Sequence, residues 1–176
     1  MNLFDDYAGW TDTTAKYPVT APSGYCSEPS YLALGIADEM GELVVTGLDE
    51  NRLKEAGDVL WYAARYATKV LRVNFSAAVE DARFLVLDDK HFHITEQTGI
   101  ICGVEKKRIR DSASWNDLIR GDKERAAYSA LVKVITYVID MLHEGGYTIE
   151  QAIERNMGKL NARLQSGTIH GDGDNR

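Results

Sequence analysis

No proline follows Pro29, and that absence constrains the chain more than any other feature. The three prolines are Pro18, Pro22 and Pro29, so the rest of the sequence lacks the strongest helix breaker. Within it, apolar residues recur at helical spacing. Leu32, Ile36, Met40 and Leu43 form one stripe on a helix of about 3.6 residues per turn. Convincing alternating strand patterns do not occur. The pattern predicts an all-α helical bundle.

Stop and start signals divide the chain. Helices are expected over 2–17, 30–46, 51–72, 76–87, 96–110, 122–143 and 148–165. Ser27 or Ser30 is the candidate cap of the second helix. Leu53, Val59, Leu60, Ala63 and Ala67 are core candidates of the third. Residues 19–29 and 91–95 read as connectors, and 111–122 as a loop with a turn of helix near Trp115. Thr148 with Gln151 three residues on has the form of a capping box.

A formal charge of −7 and a pI near 5.1 argue against a nucleic-acid polymer, whose binding needs a basic face. A single nucleotide stays allowed, because bound metal and a few local basic residues suffice for it. Cys26 and Cys102 form no CxxC, which suits a reducing compartment. Residues 1–10 are acidic and lack the apolar core of a signal peptide. No apolar run approaches the roughly 20 residues of a membrane helix. The expectation is a cytoplasmic protein, with no membrane partner, in a single domain of 1–176.

The chemistry is expected on the helices flanking Leu48. Glu39 and Glu42 are three apart, as are Glu55 and Asp58, so each pair shares a helix face. Glu42 with Glu55, and Glu39 with Asp58, have the same midpoint, 48.5. An antiparallel hairpin turning there sets Glu42 against Glu55 and Glu39 against Asp58. Such a group of anions repels unless a cation neutralises it. Carboxylates without His or Cys suit Mg²⁺, with Mn²⁺ as a substitute, and not Zn²⁺. Gly41 and Gly57 lie beside these acids, and a helix-interior glycine costs about 1 kcal/mol against alanine. Close helix approach or ligand access explains such a cost. Against this stands the ordinary reading of acidic pairs as a solvated helix face.

These segments resemble the MazG-like family. Leu34-Gly35-Ile36-Ala37-Asp38-Glu39-Met40-Gly41-Glu42-Leu43 is similar to its first acidic helix, and Lys54-Glu55-Ala56-Gly57-Asp58-Val59-Leu60-Trp61-Tyr62 to its second. Thr14-Ala15-Lys16-Tyr17-Pro18 resembles the family's leading segment, and the tail from Gly167 its ending. Asn156-Met157-Gly158-Lys159-Leu160-Asn161-Ala162-Arg163 resembles its N-xx-K-[LF]-xx-R helix. The resemblance implies hydrolysis of nucleoside or deoxynucleoside triphosphates to the monophosphate and pyrophosphate. It implies that Glu39, Glu42, Glu55 and Asp58 bind Mg²⁺; Glu39 or Glu42 is then the candidate general base to the attacking water. It implies that Asn156, Lys159 and Arg163 contact phosphates. It also implies a homo-oligomer, most simply a dimer. A dUTP- or dCTP-preferring diphosphatase is the narrower alternative, and a non-catalytic helical module that binds a nucleotide or a protein is the alternative of another class.

The chain departs from single-domain relatives, in which the basic helix follows soon after the second acidic one. Here it comes only after about 80 more residues. Thr98-Gly99-Ile100-Ile101-Cys102-Gly103 aligns with Leu34-Gly35-Ile36-Ala37-Asp38-Glu39, Ala127-Tyr128-Ser129-Ala130 with Glu55-Ala56-Gly57-Asp58, and Tyr147-Thr148 with Phe75-Ser76. In this alignment Lys106 replaces Glu42. Two internal halves follow: an acidic metal-binding half, 28–90, and a phosphate-binding half, 94–176. They would share one composite site. The alternative is an insertion at 88–122 in an ordinary domain.

Trp61, three residues after Asp58, is a candidate to stack on the base, against a core role. His91 with His93 suggests a metal pair but sits in a polar, loop-like stretch, and Asp140 with His143 has DxxH spacing but lacks the Glu-x-x-His pairs that a di-iron bundle needs. The basic run 106–110 reads as a solvated helix end.

Overall fold

The computed structural model describes residues 2–17, 27–87, 90–111 and 120–168, without the side chains of 90–93. Cys26, most of the 19–29 connector, the expected turn at Trp115, the tail from Ile169 and the side chains of His91 and His93 lie outside the described residues. The chain is all-α. Its helices are α1 (Leu3–Thr14), α2 (Glu28–Val45), α3 (Glu50–Arg65), α4 (Phe75–Phe84), α5 (Lys90–Asp111), α6 (Asp122–Glu144) and α7 (Ile149–Ser166). A π-helical turn, Tyr66–Leu71, continues α3.

Local chemistry explains the ends. The Asn2 side chain accepts from the Phe4 N–H and starts α1. Asp49 does the same for α3 through the Asn51 N–H. Ser27 takes the cap position of α2, but its hydroxyl lies 3.1 Å from that of Ser30 and makes no cap bond. Pro29 falls in the first turn, where a missing N–H is harmless. The capping box forms as the sequence suggests. Gln151 N–H donates to the Thr148 hydroxyl at 3.3 Å, and Thr148 N–H to the Gln151 side chain at 2.8 Å. Gly167, with φ of 74°, closes α7.

Several expected boundaries are corrected. The first helix, expected over 2–17, ends at Thr14. The connector at 91–95 is instead the opening of α5. The helix expected over 51–72 changes character at Tyr66: the Thr68 hydroxyl donates to the Ala64 carbonyl, and Arg72, with φ of 58°, ends the π turn. The fourth helix stops at Phe84, with Leu85 extended.

Helices α2 and α3 form one hairpin, and α5 and α6 a second. Across them α2 packs on α5 and α3 on α6. The third helix of each set crosses over: α4 packs chiefly on α6, and α7 on α3. Helix α1 lies against α3, α4 and α7. Leu32, Ile36, Met40 and Leu43 are all buried, as their stripe predicts. Val59, Leu60, Ala63 and Ala67 join them, and Leu53 packs partly buried at the edge. Helix α6 modifies the sequence reading. Lys133 and Asp140 interrupt its apolar runs, yet by length and composition its 23 residues suffice to cross a bilayer. In the bundle 67% of its most apolar window is buried, as in a core helix.

Candidate metal and phosphate site

The first hairpin brings the acids together. One carboxylate oxygen from each of Glu39 and Glu42 on α2 and Glu55 on α3 lies within 4.8 Å of the other two. Their burial is graded: Glu55 is buried, Glu39 partly buried and Glu42 exposed. Three carboxylates at this spacing fit a hard divalent cation held by oxygen, such as Mg²⁺ or Mn²⁺, better than a soft one. The Lys54 ammonium donates to Glu55 Oε1 at 3.0 Å and offsets part of the charge. Burial, and then the charges of Asp58 and Glu42, push the Glu39 carboxyl up to about 8; the Lys159 ammonium opposes them.

Asp58 lies at the border of this cluster and turns to α7. Its Oδ1 accepts from Asn156 Nδ2 at 2.8 Å, and its Oδ2 pairs with the Lys159 ammonium. The expected group of acids is therefore three gathered carboxylates plus one held by the basic helix. Asn156, Lys159 and Arg163 come from the same α7, and Asn156 and Arg163 are buried there. Asn156 is 1% exposed, so its amide serves Asp58 from beneath.

The two glycines have different reasons. A Cβ on Gly57 would sit 2.9 Å from the Ala152 carbonyl oxygen and 2.9 Å from Asn156 Cβ. Gly57 thus lets α7 approach α3 closely enough for the Asn156–Asp58 bond. A Cβ on Gly41 would meet nothing within 4 Å. Close packing explains Gly57 and does not explain Gly41.

Several contacts escape sequence reasoning. Tyr7 of α1 donates its hydroxyl to Asn156 Oδ1 at 2.9 Å. One turn along the hairpin from Glu39, the Tyr62 ring lies over Gly35, where a Cβ would sit 2.1 Å from Tyr62 Cε1. The Tyr62 and Tyr31 hydroxyls hydrogen-bond at 3.1 Å. Gly35 was legible as a helix-interior glycine and Lys54 as a neighbour of Glu55. Nothing local in the sequence links Tyr7 to Asn156, which is 149 residues away.

Trp61 is buried, and its indole N–H donates to the Thr14 hydroxyl at 2.9 Å. Tyr17 and Tyr62 meet its ring edge-on, and the Arg65 guanidinium lies 5.4 Å from its centre. These contacts account for it as a core residue. Asp140 and His143 are not brought to the acid cluster. They line a cavity of about 590 Å³ with residues of α4 and the start of α7. The basic run divides. Lys106, Lys107 and Arg110 are exposed, as expected, whereas Arg108 is buried with Glu105 and donates to the Ser27 hydroxyl at 2.6 Å.

Comparison with protein-family models, with curated proteins and with solved structures finds no match to this chain.

Proposed function

We propose that the chain is a Mg²⁺-dependent nucleoside triphosphate pyrophosphohydrolase, releasing pyrophosphate and the monophosphate. One observation carries this reading. The carboxylates of Glu39, Glu42 and Glu55 gather beside Asp58, which is bonded to Asn156 and Lys159 of a distant helix. A cation site accounts for the gathered carboxylates, and the bonds from Asp58 to α7 tie them to a lysine. Acids adjoining a lysine suit a substrate that brings its own negative charge together with a divalent ion.

The bound cation would offset the charge of the acids and of the triphosphate, and would be held by Glu42, Glu55 and Glu39. Glu39 is the better candidate general base. It is partly buried in the cluster, whereas Glu42 is exposed, and a cation bound there would offset the neighbouring acids and keep its carboxylate ionised and able to take a proton. In the step, water oxygen bonds to the α-phosphorus while the bond to the α,β-bridging oxygen breaks. The water proton goes to Glu39, and the electron pair leaves with pyrophosphate. Lys159 exchanges Asp58 for a phosphate oxygen and stabilises the leaving group. Arg163, on the same helix face, adds to the positive wall of the site. The acids belong to the first hairpin and the base-bearing helix to the end of the chain, so the site is composite within one chain.

The test measures pyrophosphate release with Mg²⁺ from the common ribo- and deoxynucleoside triphosphates and dUTP. Glu42→Gln and Asp58→Asn are assayed beside the wild type. Pyrophosphate and monophosphate are expected, with at least about a hundredfold loss in each variant. Orthophosphate as the released product would put the cut at the wrong bond. Nucleotide binding without turnover would favour a non-catalytic module.

A further inference from the structure

We infer that Tyr7, on the N-terminal helix, is a positioning residue that fixes the Asn156 amide against Asp58, an inference that rests on the function proposed above. Tyr7 is 1% exposed, and its hydroxyl donates to Asn156 Oδ1 at 2.9 Å. Asn156 is equally buried, and its Nδ2 donates to Asp58 Oδ1 at 2.8 Å. A carboxamide has one accepting and one donating end, and the neighbours decide which end faces where. With the phenol donating to Oδ1, the amide nitrogen must face the carboxylate. The opposite rotamer would aim an amide oxygen at an anion. The Gly57 carbonyl lies 3.5 Å from the same hydroxyl, so acceptors surround the phenolic proton and keep the group a donor. Burial and the nearby Asp58 charge also hold that proton on Tyr7.

The ring has separate work. It stacks on Trp10 at 5.7 Å and meets Phe75 at 6.3 Å, contacts that a phenylalanine would keep. Tyr7→Phe therefore removes the hydroxyl and spares the packing. A merely structural Tyr7 would show a small stability loss and no change at the site. A positioning Tyr7 transmits its loss through Asn156.

The experiment compares full-length wild type, Tyr7→Phe, Asn156→Ala and the double variant. About a tenfold fall in kcat with little change in KM is expected for Tyr7→Phe, and the double variant should be no slower than Asn156→Ala alone. Wild-type kcat in Tyr7→Phe, or losses that multiply, would overturn the inference. A second measurement is independent of turnover: the two side-chain amide protons of Asn156 in a ¹⁵N–¹H spectrum. They should shift and exchange faster in Tyr7→Phe. An unchanged pair overturns the positioning role even in a chain that turns nothing over. A wild type that releases no pyrophosphate while its Asn156 amide responds to Tyr7→Phe would sink the proposed reaction and leave the hydrogen-bond relay standing.

Discussion

At the residue scale, Glu39 makes the acid cluster measurable without a substrate. Its carboxyl is raised from 4.5 to about 8, first by burial and then by the charge of Asp58. Between those values the folded chain holds a proton that the unfolded chain has released. Stability contributed by Glu39 therefore falls as pH rises through that window, and the penalty is complete above about 8. Glu39→Gln lacks the titration. Its melting temperature should gain on the wild type as pH rises from about 6 to about 9 in the absence of divalent ions. Millimolar Mg²⁺ should recover most of the difference by raising the wild type more than the variant. A difference that stays constant with pH would mean that Glu39 is not desolvated in solution.

At the element scale, the two glycines of the acidic helices separate packing from access. Gly57→Ala places a Cβ 2.9 Å from a backbone oxygen of α7, which has little room to move. Overpacking costs typically 1–3 kcal/mol, against a helix-propensity gain of about 1, so a net loss of about 1 kcal/mol is expected. Gly41→Ala meets open space and should stabilise the chain by up to about 1 kcal/mol. Denaturant unfolding of both reads the two signs, and a stabilised Gly57→Ala would show that α3 and α7 are further apart than described. The same contrast shows how far sequence reaches. The apolar stripe of α2, the facing acids and the capping box of α7 depend on neighbours within a few residues or across one short turn. Those were legible. The π turn after Arg65, the burial of Arg108 and the turning of Asp58 to α7 depend on what packs against each residue from elsewhere in the chain. Spacing along one helix carries no record of that. The helical start of α5 was missed because its polar opening carries none of the periodicity that marks the other helices.

At the scale of the whole molecule, the order and lengths of the helices recur. A shift of 72 carries α3 with its π turn, 50–71, onto 122–143, within one residue of α6. The same shift carries α4 onto the first turns of α7, and a shift of 64 carries α2 inside α5. Packing follows this order, since α2 meets α5, α3 meets α6, and the third helices are exchanged, α4 onto α6 and α7 onto α3. An exchange of this kind puts Lys159 and Asn156 against Asp58 of the first hairpin, whereas α4 places Arg83 beside Glu150 in the first turn of α7 and Asp81 beside the Tyr128 hydroxyl of α6. The crossing of α7 on α3 joins a carboxylate of the first hairpin to a lysine of the third helix. Because both parts of that crossing belong to one chain, inactive chains have nothing to lend each other. Glu55→Ala and Lys159→Ala, each purified and then mixed in equal amounts, should stay as inactive as either alone. The mixture is refolded together from denaturant, so that any exchange of helices between chains has the chance to occur. Recovery of about a quarter of wild-type activity, the statistical yield for sites assembled from two chains, would mean that α7 reaches the acids of a partner, and the composite site would belong to a dimer.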